Sequence, residues 1–338
     1  KSTATAYYGY DELELGLYDP DTGDYYPALE EGGPYLKMLA FYNDLYRRGL
    51  IDPDSMTNTW DTMAAKLENG GTLFSIFNYS GSERYNTTDH LDANKIMLSC
   101  APDEARPIVY GLNVFGGNRI WTIGAKTQYP ELCMELINWL CTPEGRLTTD
   151  YGPKGVTWDY DENGKTYFTE LGLKTNNDRN SEMEAPYSGK FGDGFMQINN
   201  TTWTNMALNP ESGEPYNHRF WASYSTEPRN ASETDWRAKT GANSVHEYMV
   251  NRPAGYTVSP GSTYKETPKS TELTNTWEQV TTCIVKGSWR AIYANTPEEF
   301  QDIVTEMIND ARAYGYAECE AWSFNEAALR KAKEDEIR

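Results

Sequence analysis

An α/β fold is what this sequence predicts, on three observations. Helical periodicities alternate with short apolar or β-branched runs up to about residue 150. Helix ends carry their own punctuation, clearest at Thr142-Pro143-Glu144, where a Thr N-cap precedes Pro at the first helical position and an acidic first turn. Past Gly152-Pro153, the runs Val156-Thr157-Trp158 and Thr166-Tyr167-Phe168 flank Asp161-Glu162-Asn163-Gly164-Lys165, the pattern of a β-hairpin. Such an order places strands in a sheet covered by helices.

Taken in order, residues 1–32 read as strand and turn. Leu13, Leu15 and Leu17 alternate, and Asp19-Pro20-Asp21-Thr22-Gly23-Asp24 is a turn. From Pro34 to Arg48, Tyr35, Met38/Leu39, Tyr42 and Leu45/Tyr46 recur at helical spacing, and Gly49 is the stop. A second helix runs from Trp60 to Asn69, closed by Gly70-Gly71, and feeds a buried strand over 72–77 that ends at Asn78-Tyr79-Ser80-Gly81. Tyr110 to Gly124 reads as an irregular strand pair broken at Phe115-Gly116-Gly117-Asn118. Pro130 opens a helix to about 141, and Thr142 starts the next.

Residues 172–275 carry little periodicity, apart from short helices near 231–240 and 244–250. Their aromatic content, including Trp203, Phe220, Trp221 and Trp236, argues for ordered ligand-facing loops, because those rings require burial. A helix follows from Glu272 to Tyr293. Thr296-Pro297-Glu298-Glu299 is a capping box for an amphipathic helix with Phe300, Ile303/Val304, Met307/Ile308 and Ala311 on one face. Ser323-Phe324-Asn325-Glu326 reads as the cap of a last helix.

Thirty basic and fifty acidic residues give a net charge of −20, spread along the chain. Nucleic acid needs a basic footprint, so that partner class is excluded, and an anionic membrane surface is disfavoured for the same reason. No 18-residue apolar run is present to span a bilayer. The opening Lys1-Ser2-Thr3 reads as the start of a mature or truncated product. Cys100, Cys133, Cys141, Cys283 and Cys319 show no CxxC spacing, and the five are read as buried thiols. Cys133 and Cys141 are separated by about 12 Å of helical rise, too far to bridge. The 25 Tyr and 10 Trp supply flat apolar faces with polar edges, suited to sugars as well as to a core.

Three stretches together resemble the extracellular solute-binding proteins of carbohydrate-type ABC importers (family 1). They are YLKMLAFYNDLYRRGLIDPD (35–54), AAKLENGGTLFSIFNYS (64–80) and ELCMELINWLCTPEGRLTTDYGPKGVTWDY (131–160). The resemblance covers Gly33 to Glu170 well and the rest loosely. It implies a type II periplasmic-binding-protein-like, bilobal α/β architecture, here incomplete at the N-terminus because the βαβ start of the first lobe has no counterpart. On that reading, residues 1–107 belong to the second lobe and 108–152 cross to the first. Residues 153–293 return to the second lobe and the cleft loops, and 294–338 form C-terminal helices. The implied protein is bacterial, extracellular, monomeric and non-catalytic. It is lipid-anchored through a segment absent here, and hands a sugar or oligosaccharide to a membrane ABC permease.

Carried over by position, the resemblance places Asn78, Tyr79, Trp158 and, more loosely, Asn113 at the ligand cleft. Trp60, Trp203 and Trp221 join them on chemistry alone, as aromatic rings in polar loops. For each, a packed core ring or a turn residue is the competing reading.

Asp159-x-Asp161-x-Asn163-Gly164-x5-Glu170 satisfies the calcium-loop pattern, with Lys165 at the backbone-carbonyl place. The flanks are strand-like and Tyr167 stands where an oxygen ligand is usual, so a tight hairpin is preferred, with structural Ca2+ as the alternative and no other cofactor. Ser262-Thr263-Tyr264-Lys265 and Lys239-Thr240-Gly241 occur in the wrong order for a penicillin-recognising enzyme, and His246-Glu247-Tyr248-Met249-Val250 lacks a zincin's second His. The alternatives to a transport protein are a secreted glycoside hydrolase, which needs only two carboxylates, or a carbohydrate-binding surface protein not coupled to transport. Sequons begin at Asn78, Asn86, Asn199, Asn200 and Asn230.

Overall fold

The alternation at Leu13, Leu15 and Leu17 folds as an antiparallel meander of strands Asp11–Leu13, Gly16–Tyr18 and Tyr25–Pro27. The computed structural model describes residue 6 and residues 8–72, 75, 81–110, 121–195, 197, 207–224 and 227–338. Leu13 pairs with Gly16 across a two-residue turn in which Glu14 has φ +49°. The second corner is the Asp19–Asp24 turn: the Asp19 amide donates to the Asp24 carbonyl at 2.9 Å, and Asp19 Oδ1 accepts from the Asp21 amide at 2.8 Å.

The chain is mixed helix and sheet, 48% helical and 8% strand, and its sheets are small. Among the described residues they are the three-stranded meander, a parallel pair (Ile108–Tyr110 with Thr257–Ser259) and an antiparallel pair (Trp158–Tyr160 with Thr166–Phe168). The strand expected over 72–77 and the irregular pair over 110–124 fall largely outside the described residues. No described helix is long and apolar enough to cross a membrane.

Contacts divide the chain into two compact units. Unit 1 comprises Lys1–Ala65, Ser99–Gly116 and Val245–Arg338, and unit 2 comprises Lys66–Leu98 and Gly117–Ser244. The unit boundaries fall at 65/66, 98/99, 116/117 and 244/245.

Unit 1 packs helices onto the meander. Leu15, Leu17, Ala28 and Leu29 meet Tyr35 and Leu39 of helix Pro34–Arg47. Leu273, Val280 and Ile284 join from helix Thr271–Ile292, Met307 and Ala311 from Pro297–Ala313, and Tyr316 and Cys319 from Tyr316–Asp335. Gly287 allows the second of these helices to approach, since a Cβ there would stand 2.5 Å from Met307 Cγ. Buried Asn43 uses its amide to close the end of the long helix. It donates to the carbonyls of Ala291 (3.2 Å), Ile292 (3.1 Å) and Ala294 (2.8 Å), at and just past the C-terminus of that helix. Lys269 lies over Trp277, 4.4 Å from the ring centre, with Glu14 at 2.8 Å and Glu266 at 2.6 Å.

Three expectations need correction. Ser323 caps nothing: it lies inside helix Tyr316–Asp335, buried, with Oγ donating to the Cys319 carbonyl at 2.8 Å. The helix starts instead at Gly315, whose φ of +99° is open to glycine. At Thr296 the hydroxyl accepts from the Glu299 amide at 3.1 Å as expected, but Glu299 reaches back to the Asn295 amide, one residue before the cap. Of the five cysteines, which are divided between the two units, only Cys319 is buried; all are free, and Cys100 and Cys141 are exposed.

Unit 2 is built on the helix pair Pro130–Leu140 and Pro143–Tyr151. Thr142 Oγ1 accepts from the Gly145 amide at 3.1 Å. Gly145 is required, since a Cβ there would enter the Trp139 carbonyl. Gly152, at φ +92°, ends the second helix. Leu132, Met134, Leu136 and Trp139 leave the first helix with an exposed apolar surface. Helix Glu170–Asn177 then docks against the hairpin, with Gly172 lying on the Thr157 carbonyl and Thr169 Oγ1 donating to the Val156 carbonyl at 2.6 Å. Within the poorly periodic span 172–275, helix Ala231–Thr240 of this unit and helix Val245–Asn251 of unit 1 form close to the expected positions.

Candidate functional site

Chemistry in unit 2 gathers where helix Pro143–Tyr151 meets the hairpin and the loop 207–224. Strand pairing sets Trp158 opposite Phe168 and Tyr160 opposite Thr166. Side chains alternate across a strand, so Trp158 and Tyr160 share a face, with ring centres 5.5 Å apart. Leu147, Trp158, Phe168, Tyr216 and Trp221 close into one buried cluster, with Tyr151, Tyr160 and Tyr224 around it. Glu214 fastens the loop to the hairpin by accepting from the amides of Thr166 (2.9 Å) and Ala222 (2.8 Å).

Trp158 is therefore a core residue. It is 0% exposed, and its indole Nε1–H donates to the Gly152 carbonyl at 2.7 Å. The expectation that it stands in an open cleft is corrected: Gly152 turns the chain so that the strand faces inward. Trp221, 3% exposed, is likewise core, its indole donating to the Pro215 carbonyl at 2.9 Å. Trp60 begins helix Trp60–Glu68 and is 45% exposed. Asn78, Tyr79, Asn113 and Trp203 lie outside the described residues. The structure thus brings Trp158 and Trp221 together, as packing.

The segment with the calcium pattern is a hairpin turn. Asp161 Oδ1 accepts from the amides of Asn163 (2.9 Å) and Lys165 (2.8 Å), and the backbones of Asp161 and Lys165 are bonded at 2.8 Å. Gly164 takes φ +74°. Lys165 sends Nζ to the Ser212 carbonyl at 2.8 Å, and exposed Glu170 opens helix Glu170–Asn177. Asp159 Oδ1 accepts from the Tyr160 amide at 2.8 Å. Asp161 Oδ1 is thus engaged in its own turn. Among the described residues, no group of three or more His, Cys, Asp or Glu could hold a metal ion.

Beside the aromatic cluster runs a line of charges. Arg146 and Asp150, one turn apart, pair at 3.0 Å, Arg179 pairs with Glu83 at 2.9 Å, and Arg84 reaches Glu68 at 3.6 Å. Burial pushes the Asp150 carboxyl up to about 6 against the pull of Arg146 and Arg179. Burial also pushes the His218 imidazole down to about 3, with Arg219 and Arg179 acting in the same direction. Burial raises the Tyr160 phenol to about 12, where it accepts from Asn209 Nδ2 at 2.9 Å. An imidazole so low is neutral at physiological pH and acts as a hydrogen-bonding core group. Sequence reasoning passed over His218 because three histidines offered little material for catalysis. The i,i+4 spacing of Arg146 and Asp150 was the available signal for the charge line.

No protein-family model, curated protein or solved structure matches this chain. The sequons at Asn86 and Asn230 are structural in this conformation. Asn86 is buried and bonded through its amide to both backbone groups of Met97 (2.7 and 3.0 Å), and Asn230 caps helix Ala231–Thr240.

Proposed function

We propose that this chain is a monomeric, non-catalytic solute-binding protein of a bacterial cell envelope, lipid-anchored outside the membrane, that captures a sugar or oligosaccharide for an ABC permease. The observation that carries the reading is the connectivity: the chain changes unit at 65/66, 98/99, 116/117 and 244/245, so neither unit is continuous in sequence. Discontinuous units are what the bilobal type II architecture implied by the three motifs requires.

Local structure supports the same reading. Helix Pro34–Arg47 ends at Gly49 before Leu50-Ile51-Asp52-Pro53-Asp54, and helix Trp60–Glu68 ends at Gly70-Gly71. The Thr142-Pro143-Glu144-Gly145 start and the Gly152-Pro153 stop frame the helix between them. With Trp158 and Trp221 committed to the core, exposed Trp60 is the remaining described member of the proposed aromatic contacts.

The test is a thermal-shift screen of the chain against a glycan panel, followed by chromatography of the glycan. A ligand that binds only the folded state stabilises it by about 2.7 kcal/mol at a hundredfold excess over Kd. The reading expects a raised Tm with the glycan intact. A shortened glycan establishes the hydrolase instead, and the absence of any shift across the panel overturns the carbohydrate assignment.

A further inference from the structure

Asp150 and His218 are titratable groups of unit 2 that the proposed binding function does not use, and in mildly acid solution their surroundings favour protonation states opposite to their ordinary ones. The Asp150 side chain is 14% exposed. Its Oδ2 meets Arg146 at 3.0 Å, whereas Oδ1 is buried and has no hydrogen-bond partner. A bare buried oxygen is costly on an anion and much less so on a neutral carboxyl.

His218 opens the short 3-10 turn His218–Phe220, inside a set of aromatic rings. Ring centres of Tyr151, Phe168, Trp221 and Tyr224 lie 5.4, 5.5, 6.2 and 4.8 Å away. The Tyr151 hydroxyl gives its hydrogen to the Tyr216 carbonyl at 3.0 Å, so toward His218 it can only accept. It takes the His218 backbone N–H at 3.1 Å and faces Nδ1 at 3.4 Å, which puts the ring hydrogen on Nδ1. Nε2 faces the Asn176 side-chain nitrogen, a donor, at 3.4 Å and is left as an acceptor. A second proton at Nε2 would oppose a donor and add a cation beside Arg219 and Arg179.

We propose that in mildly acid solution folded unit 2 carries a proton on Asp150 and none on His218, an exchange of protonation that holds its stability level as the solution turns acid. In the unfolded chain an aspartate titrates near about 3.9 and a histidine near about 6.5. Burial moves them past one another, Asp150 up to about 6 and His218 down to about 3. The raised carboxyl adds stability as pH falls through about 6. The depressed imidazole removes it as pH falls below about 6.5, because the unfolded chain then takes the proton. Between about pH 6 and 4 the folded unit gains a proton from solvent at Asp150 while the unfolded chain gains one at His218, and the two slopes cancel. The groups facing Asp150 are Arg146 on its own helix and Arg179 beyond helix Glu170–Asn177, which also pairs with Glu83. Those facing His218 are Tyr151, Arg219 and Arg179. The arginines stay charged throughout this range.

The experiment is unfolding of the full chain at several pH values from 6.5 to 4.5 for the parent, Asp150→Asn and His218→Gln. Relative to the parent, Asp150→Asn should lose up to about tenfold in folding constant per pH unit of acidification, and His218→Gln should gain by a similar factor. Carbon-13 NMR of the parent's histidine rings supplies a readout that needs no variant to fold: the ring with contacts to Tyr151 and Tyr224 should keep neutral Nδ1–H shifts down to pH 4.5. An imidazole at that position titrating between pH 5 and 7 overturns the proposal, as do two variants whose slopes change in the same direction or stay with the parent.

Discussion

Trp158 closes the corner that Gly152 opens: the indole Nε1–H reaches the glycine carbonyl at 2.7 Å. Gly152 sits at φ +92°, and a Cβ there would stand 2.7 Å from Thr157 Oγ1. Helix end, turn and first hairpin strand are thereby fixed together, and the largest side chain of the segment is carried into the core.

Trp158→Ala should cost about 3–5 kcal/mol, the range for emptying a buried indole site. Trp158→Phe keeps much of the volume and should lose less, including about 1 kcal/mol for the bond to Gly152. Urea unfolding of both measures this. A Trp158→Ala protein as stable as the parent would contradict the buried placement.

Gly172 should tolerate no side chain. An added Cβ would enter the carbonyl of Thr157, a backbone group that cannot swing aside. Gly172→Ala is expected to lose about 1–3 kcal/mol through forced separation of helix and hairpin. Gly124 has nothing within 4 Å of its virtual Cβ and serves as the control. There alanine should change stability by no more than about 0.5 kcal/mol.

Buried Glu326 gives unit 1 an acid sensitivity of its own. Its carboxylate accepts from Tyr264 OH at 2.9 Å and from the Thr267 amide at 3.0 Å. Burial alone would raise its pKa, but these hydrogen bonds outweigh it and hold the carboxyl below its ordinary value. The stabilisation is thus complete above the unfolded-chain value of about 4.3 and is lost as pH falls through the folded value. Glu326→Gln should lower stability at pH 7 by about 1–3 kcal/mol and flatten the acid limb of a Tm-against-pH curve.

The Asp161 turn should be indifferent to chelation. EDTA is expected to leave Tm unchanged, and Asp161→Ala should cost about 1 kcal/mol through the two amides it releases. A chelator-induced fall in Tm, restored by calcium and abolished by Glu170→Gln, would establish the ion site instead.

Trp60→Ala tests the proposed binding role where burial does not interfere. The residue is 45% exposed, so the variant should keep the parent Tm within a few degrees while losing the response to whichever glycan stabilises the parent. A full response in the variant removes Trp60 from the contact set.

Much of the local structure was legible in the chain. Thr142, Pro143 and Gly145 start a helix because the Thr hydroxyl, the fixed φ of proline and the absent Cβ all act within four residues. The Asp161–Lys165 turn and the Thr296 cap were readable for the same reason. Ser323 was misread because a Ser-x-x-Glu pattern also fits a helix interior in which the serine bonds back to residue i−4 and the glutamate is taken by a distant segment. Tyr264 and Thr267, which hold Glu326, come from 62 and 59 residues away. The binding candidates suffered from the same ambiguity: an indole in a polar loop looks alike whether it lines a cleft or plugs a core.

By itself, then, the sequence determined where helices begin and end, which residues turn the hairpin, and that helix and strand would be mixed. These choices are set by hydrogen bonds and sterics between near neighbours. Only the tertiary structure decided that Trp158 and Trp221 are core, that Asp150 and His218 share one buried neighbourhood, and that Tyr18 closes on Glu334 at 2.8 Å, 316 residues away. Burial and electrostatic environment depend on partners that the chain brings together only by folding, and no spacing along the sequence encodes that distance.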